Sequence, residues 1–140
     1  MYTKAQDLAL LLARLITAVI FLHAGIIKWG MWSLTPEATG MAPWLLNVMK
    51  LLAVVEPLGA AALILGFLTR LASAGLAIIL LGAIWVTQFI MGMGFVTATG
   101  PGWSFPFVML AGCFVLMAFG AGNYSVDSMW HRRLDRPIGA

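Results

Sequence analysis

Glu56 is the residue whose chemistry most needs explaining. It stands in the middle of an apolar run, LLAVVEPLGAAALILGFLTR at residues 51–70, and Pro57 follows it at once. In a transmembrane helix an unpaired ionised side chain costs about 2.5–3.5 kcal/mol on insertion scales and more by simulation. Glu56 must therefore be protonated there, or paired with a base from another helix. Burial and a close partner tune the pKa of such a group, which suits it to moving protons. Pro57 lacks an N–H, so it frees a carbonyl one turn earlier, near Ala53, to bind water or a ligand group.

The candidate bases lie in the first apolar run. At 100° per residue Arg14, Thr17, Ala18, Phe21, Ala24, Gly25 and Lys28 share one face. Arg14 and Lys28 are then about four turns apart on it. His23 falls on the opposite side with Val19, Ile20 and Ile27. In the second run Glu56, Gly59, Ala60, Leu63 and Arg70 form one stripe. Counted from the ends of the runs, Arg14 begins roughly 9 Å deep and Glu56 roughly 18 Å deep. A long arginine closes most of that gap, whereas Lys28 starts near the opposite edge and has to reach down. The expectation is an Arg14–Glu56 couple as the catalytic pair, with Lys28 at the outer mouth of the same cleft. His23 matches Glu56 in depth but not in face. It is either a ligand-binding residue or a neutral imidazole bonded to a neighbouring carbonyl. In the third run Gln88 and Thr87 lie at comparable depth, and Gln88 either donates across the bundle or binds a ligand. Phe21, Trp85 and Phe89 are the aromatic candidates for lining a ring site.

The elements that hold these residues must be membrane helices. Of 140 residues only 9% are charged and 62% are hydrophobic, with a mean hydropathy of +0.99. Soluble domains carry about 25% charged residues. The length allows one domain, and the polar stretches are too short to build another. The net charge of +3 comes largely from the C-terminus, which excludes nucleic acid as a partner. Cys113 is alone and reads as a small apolar filler. No Cys/His cluster has metal spacing, and Met91, Met93 and Met109 have no histidine or cysteine beside them, so no metal is expected. The first run is too long for a signal peptide and lacks a cleavage site, so it should remain in the mature protein.

Four runs have spanning length: 8–29, 44–68, 71–94 and 103–122. The predicted fold is all-α, an antiparallel bundle of four transmembrane helices spanning residues 1–140 as a single domain. Leu68-Thr69-Arg70 is so short a link that the second and third helices must form a hairpin. Lys4 and Arg14 begin the chain, Arg70 marks the hairpin turn, and His131-Arg132-Arg133 with Arg136 forms the densest basic cluster. By the positive-inside rule the termini and the Arg70 turn face the cytoplasm. Trp29, Trp32, Trp44 and Trp103 then form an outer aromatic belt, with Tyr124 and Trp130 on the inner side. Small residues on the helices, among them Gly59, Ala60, Gly75, Gly82 and Gly112, favour close packing in lipid.

After the fourth run comes Gly120-Ala-Gly122-Asn-Tyr124-Ser125-Val-Asp127. The glycines stop the helix, and Ser125 or Asp127 can cap a short interfacial helix leading to Trp130. Asp127 and Arg70 should both lie at the cytoplasmic surface and form a structural charge pair.

Three stretches in order resemble the DoxX family of small four-helix membrane proteins, over nearly the whole chain. They are Arg14 followed by His23-Ala-Gly25-Ile-Ile-Lys28, then Glu56 through Leu65-Gly66-Phe-Leu-Thr69-Arg70, then the Gly-x-Gly-x-x-Ser-x-Asp ending at 120–127. Ala121 and Asn123 stand where proline and a basic residue are common in the family. The resemblance implies a bacterial or archaeal cytoplasmic membrane. It also implies a quinone-linked role, as in subunits of thiosulfate:quinone oxidoreductase or terminal quinol oxidases. No covalently bound cofactor is expected, since the sequence has no haem ligand pair, flavin motif or iron–sulfur cysteine set.

Two functions therefore compete. In one the chain is a quinone-interacting subunit of a membrane oxidoreductase, with Glu56 and Arg14 handling the proton. In the other it is a non-catalytic bundle that assembles or stabilises a partner membrane protein. A small proton-coupled carrier also fits a carboxylate at mid-depth, but inverted repeats are missing. Besides the bilayer, a protein partner or a homo-oligomer is expected for so small a bundle.

Overall fold

The computed structural model describes residues 3–134, with side chains as far as Trp130. Helix α1 (Lys4–Lys28) opens on a capping box, in which Thr3 Oγ1 accepts the Gln6 N–H and the Gln6 side chain accepts the Thr3 N–H. A 3₁₀ turn (Trp29–Ser33) and the single-turn α2 (Pro36–Thr39) lead to α3 (Pro43–Leu65), with Pro43 pre-set for the first helical turn. Then come α4 (Thr69–Trp85) and a π turn (Val86–Ile90), in which the Met91 N–H reaches back to the Val86 carbonyl at 2.9 Å. After a loop, α5 (Ser104–Phe119) returns and α6 (Val126–Leu134) closes the described chain. The fold is all-α, as expected.

The four long helices run alternately up and down. The start of α1, the 120–125 segment and the 66–68 turn lie at one end, here the terminal end, and the 29–42 and 91–103 connections lie at the other, the loop end. Among the described residues three helical segments are long and apolar enough to cross a membrane: Lys4–Ser33, Pro43–Leu65 and Thr69–Ile90. At 16 residues α5 is shorter, because Gly120, at φ 77°, ends it before the expected limit at 122. Likewise α3 stops at Leu65, three residues early, where Gly66 turns left-handed at φ 66°.

The distribution of polarity is that of a membrane protein. Leu58, Leu71, Ile78 and Phe89 point outward, whereas Asp7, Arg14, Thr17, Glu56, Thr69 and Ser73 are buried. The face of α1 read from the sequence is the buried one: Arg14, Thr17, Ala18, Phe21 and Gly25 all lie inside. A single apolar layer crosses the bundle, built from Ala18, Phe21, Ala60, Leu63, Leu76, Cys113 and Leu116. Helix pairing is uneven. α1 lies along α3 and α4 lies along α5, while α3 and α4 meet more sparsely. The expected hairpin is therefore tight only near its turn, where Gly59 packs on Leu76, and it splays toward the loop end.

The hairpin turn is held by the C-terminal segment. The Asp127 carboxylate accepts the N–H groups of Leu68 and Thr69 at 2.8 and 3.0 Å, and the Asp127 N–H donates to the Gly66 carbonyl. An anion thus satisfies orphan donors at the start of α4. This replaces the expected Arg70–Asp127 pair, since Arg70 Nη2 donates instead to the Ala118 carbonyl at 3.2 Å. A helix N-terminus supplies two fixed donors one turn away, and that geometry outcompetes a mobile surface guanidinium. Ser125 caps α6, its Oγ accepting the Ser128 N–H at 3.1 Å. The basic tail, His131, Arg132, Arg133 and Arg136, lies outside the described side chains.

Candidate functional site

The partner of Glu56 is Lys28, not Arg14. Lys28 Nζ lies 2.7 Å from Glu56 Oε2 and also donates to the Ala24 carbonyl at 3.3 Å. Depth counting failed because it placed the helix ends flush. The register of α1 on α3 is set by close contacts. Any Cβ at Gly25 would strike the Pro57 ring, and the Arg14 guanidinium lies against Gly66. With Gly25 opposite Pro57, the last turn of α1 lies level with Glu56 and Arg14 falls at the opposite end of α3.

Arg14 serves a different centre. It is only 2% exposed, and it donates from Nη1 to the Ala121 carbonyl and from Nη2 to the Tyr124 carbonyl, both at 2.8 Å. Beside it Asp7 accepts the Asn123 N–H and the Asn123 side-chain amide at 2.9 and 2.7 Å. Two buried ionic groups of α1 therefore hold the 120–125 segment. The motif of glycines, serine and aspartate is legible in the sequence as a helix stop with a cap. Its attachment to Arg14 is not, because carbonyl acceptors leave no trace in residue type.

The carbonyl that Pro57 frees is occupied from within. Trp29 Nε1 donates to Ala53 O at 2.6 Å, so the indole fills the gap expected for water or a ligand. Lys50, inside the second run, was a further basic candidate that sequence reasoning passed over. Its Nζ donates to the Leu34 carbonyl at 3.2 Å and takes no part in the pair.

Around the pair lies a cleft of about 410 Å³ between the splayed halves of α3 and α4. Its walls are Trp44, Val48 and Leu52 from α3 and Ile79, Trp85 and Thr87 from α4 and the π turn, with Lys28 and Glu56 at its head. Thr87 Oγ1 donates from the π turn back to the Ala83 carbonyl of α4 at 2.7 Å. π turns occur frequently at functional sites, and nothing in the residue types of 86–90 announces one. Glu56 is 4% exposed. Among the described residues its Oε1 has no hydrogen-bond partner, and it is not sealed from the surface. The site thus offers an ammonium donor and a free carboxylate acceptor at the end of an apolar slot.

Of the other expected residues, Trp85 lines this cleft, as does Thr87. His23 and Gln88 are exposed on outward helix faces, apart from the pair. Phe21 is buried in the apolar layer and Phe89 points outward, so neither lines the slot. Among the described residues no group of three or more His, Cys, Asp or Glu side chains is placed to hold a metal.

A family model described as DoxX matches residues 9–89 of the chain. The match covers Arg14, Lys28, Glu56 and nearly all of the cleft, and it leaves out α5 and the 120–127 ending. No curated protein and no solved structure matches the chain.

Proposed function

The chain belongs to the DoxX family and is an integral membrane protein, and on that premise we propose that it is a quinone-interacting subunit of a membrane oxidoreductase complex. The observation that carries this reading is the Lys28–Glu56 pair, with one free carboxylate oxygen, at the head of an apolar cleft. Ligand sites of this size are mostly apolar, with a few placed polar groups that set orientation.

The residues fit a quinone. Lys28 Nζ has a third N–H to donate to a ring oxygen, and Glu56 Oε1 can accept from a ring hydroxyl. Trp85 and Trp44 supply flat apolar wall. When bound, such a ring supplies reversible two-electron, two-proton chemistry, with electrons exchanged through a partner subunit. Glu56 holds or releases the proton at Oε1. Lys28 keeps a compensating charge 2.7 Å away, so the carboxylate is never a bare ion in an apolar setting. Arg14 has no part in this, because its guanidinium lies against Gly66 at the other end of α3 and binds the Ala121 and Tyr124 carbonyls. In the same reading the positive-inside pattern puts both termini in the cytoplasm of a bacterial or archaeal cell.

The test is quinone binding by the purified protein, read as saturable quenching of tryptophan emission by a short-chain benzoquinone. Glu56→Gln removes one hydrogen bond to a charged group, about 1.5–3 kcal/mol, and should weaken binding roughly 10- to 100-fold while the bundle stays folded. Unchanged quenching in Glu56→Gln would sink the proton role.

A second reading is the non-catalytic bundle that stabilises a partner protein. It is favoured by one observation, that the pair joins α1 to α3 and so also serves as an internal tie. Here Glu56→Gln and Lys28→Met should each unfold the bundle by stranding a charge, at a cost of about 3–5 kcal/mol. Folding preserved in both variants would count against it.

A further inference from the structure

The polar groups of the bundle interior fall at two levels. On the loop-end side of the layer are Lys28, Glu56 and Thr87, with Glu56 at mid-length of α3, together with the open cleft. At the terminal end are Asp7, Arg14, Thr69, Ser73 and Ser125, and Thr17, one turn along from Arg14 and against Gly112, marks the terminal edge of the interior between the two levels. Between them lies the layer of Ala18, Phe21, Ala60, Leu63, Leu76, Cys113 and Leu116, whose side chains carry no oxygen or nitrogen and which are almost wholly buried. A proton needs a chain of hydrogen-bonding groups or waters, and a water needs at least two polar partners to reside in a cavity. This layer offers only the Cys113 thiol, a weak donor and acceptor, which is too little to hold a water.

The terminal side has its own network, beside a surface pocket of about 530 Å³ lined by Thr69, Arg70, Asn123 and Asp127 that neither Lys28 nor Glu56 lines. Asp7 and Arg14 bind the 120–125 segment across the end of the bundle, and Asp127 binds the 66–69 turn. Arg14 Nε, Thr69 Oγ1 and Ser73 Oγ are buried without a partner among the described residues. Thr69 lines the terminal pocket, and none of the three lines the cleft.

The cleft, by contrast, is open in two directions. Trp44, Val48, Ile78, Trp85 and Met91 on its rim are all at least 40% exposed, so the gap between α3 and α4 opens sideways into the surrounding lipid. Lys28 keeps 19% of its side chain accessible, and from the pair the cleft runs along α3 to Trp44 and Met91 at the loop end.

We infer that the Lys28–Glu56 site is one-sided: an amphipathic ring ligand enters laterally between α3 and α4, and protons reach Glu56 only from the loop end. None passes to the terminal end. This rests on the reading of the cleft as a quinone site, and it adds the direction in which that site exchanges. With the termini in the cytoplasm, the protons of an oxidised quinol would be delivered outside.

Cysteine accessibility tests it without any turnover. In a Cys113→Ala background, Thr87→Cys and Gly82→Cys report on the cleft, and Gly82 has no atom within 4 Å of an added Cβ. Ser73→Cys reports on the buried terminal side of the layer and is nearly isosteric. Each full-length variant is reconstituted into vesicles, with orientation assigned by protease access to a C-terminal tag. A membrane-impermeant sulfonated methanethiosulfonate is then added outside. The expected result is loss of the free thiol at 87 or 82 only where the loop end faces the reagent, and none at 73 from either side. Reaction of Ser73→Cys from the terminal end would overturn the inference. So would reaction of the cleft cysteines from that end, or from neither. A short-chain benzoquinone should slow labelling at 87; one-sided labelling without that protection would leave the direction standing and remove the quinone.

Discussion

Arg14 and Glu56 show how differently two buried ionic groups can be employed on adjacent helices. Glu56 keeps an oxygen free and faces a cleft. Arg14 commits its terminal nitrogens to backbone carbonyls and faces none. Their substitutions should therefore separate. Replacing Arg14 with Leu strands the Ala121 and Tyr124 carbonyls and lodges an apolar chain beside Asp7 and Asp127. Removing one member of such a buried network costs about 3–5 kcal/mol. The expected outcome is a lower thermal midpoint in detergent and protease cleavage near 120–125, with quinone quenching unchanged at temperatures where the bundle persists. Loss of quenching in a still-folded Arg14→Leu protein would return Arg14 to the ligand site.

At the scale of the elements, the pair exists because α1 and α3 meet in one register. Gly25 is the contact that sets it, being the only residue type with room for the Pro57 ring. Gly25→Ala must push the helices apart, and overpacking of this kind costs about 1–3 kcal/mol. The separation should also weaken the Lys28–Glu56 contact and draw Trp29 Nε1 away from the Ala53 carbonyl. A shift of tryptophan emission together with reduced stability is expected; a variant as stable as the parent would show that the register is set elsewhere. The same register brings the Trp29 indole N–H to the carbonyl that Pro57 frees, at 2.6 Å.

At the scale of the whole molecule, the cleft is a consequence of unequal helix pairing. α1 with α3 and α4 with α5 form two close pairs, and the tight 66–68 turn joins them only at the terminal end. The loop-end halves of α3 and α4 are left to diverge. Gly82 lies on the wall of this gap with no atom within 4 Å of an added Cβ. Gly82→Trp should therefore fill the slot while changing stability by no more than about 0.5 kcal/mol, as for other substitutions clear of packed contacts. Quinone quenching should be lost. Quenching that survives would place the ligand outside the cleft.

The sequence alone determined the membrane character, the four apolar runs, the inward face of α1 and the isolation of Glu56. All of these follow from residue type and a 3.6-residue period, which hold for any helix whatever its neighbours. The resemblance to the DoxX family was legible too, because it rests on residues in order. Which base meets Glu56, what occupies the carbonyl freed by Pro57, and where Asp127 binds were decided by tertiary structure. Each depends on the stagger between helices or on backbone groups that every residue carries. Lys28 and Arg14 share one face of α1 and are equivalent to a helical projection. A single glycine packed against a proline ring set the register, and the register chose between them.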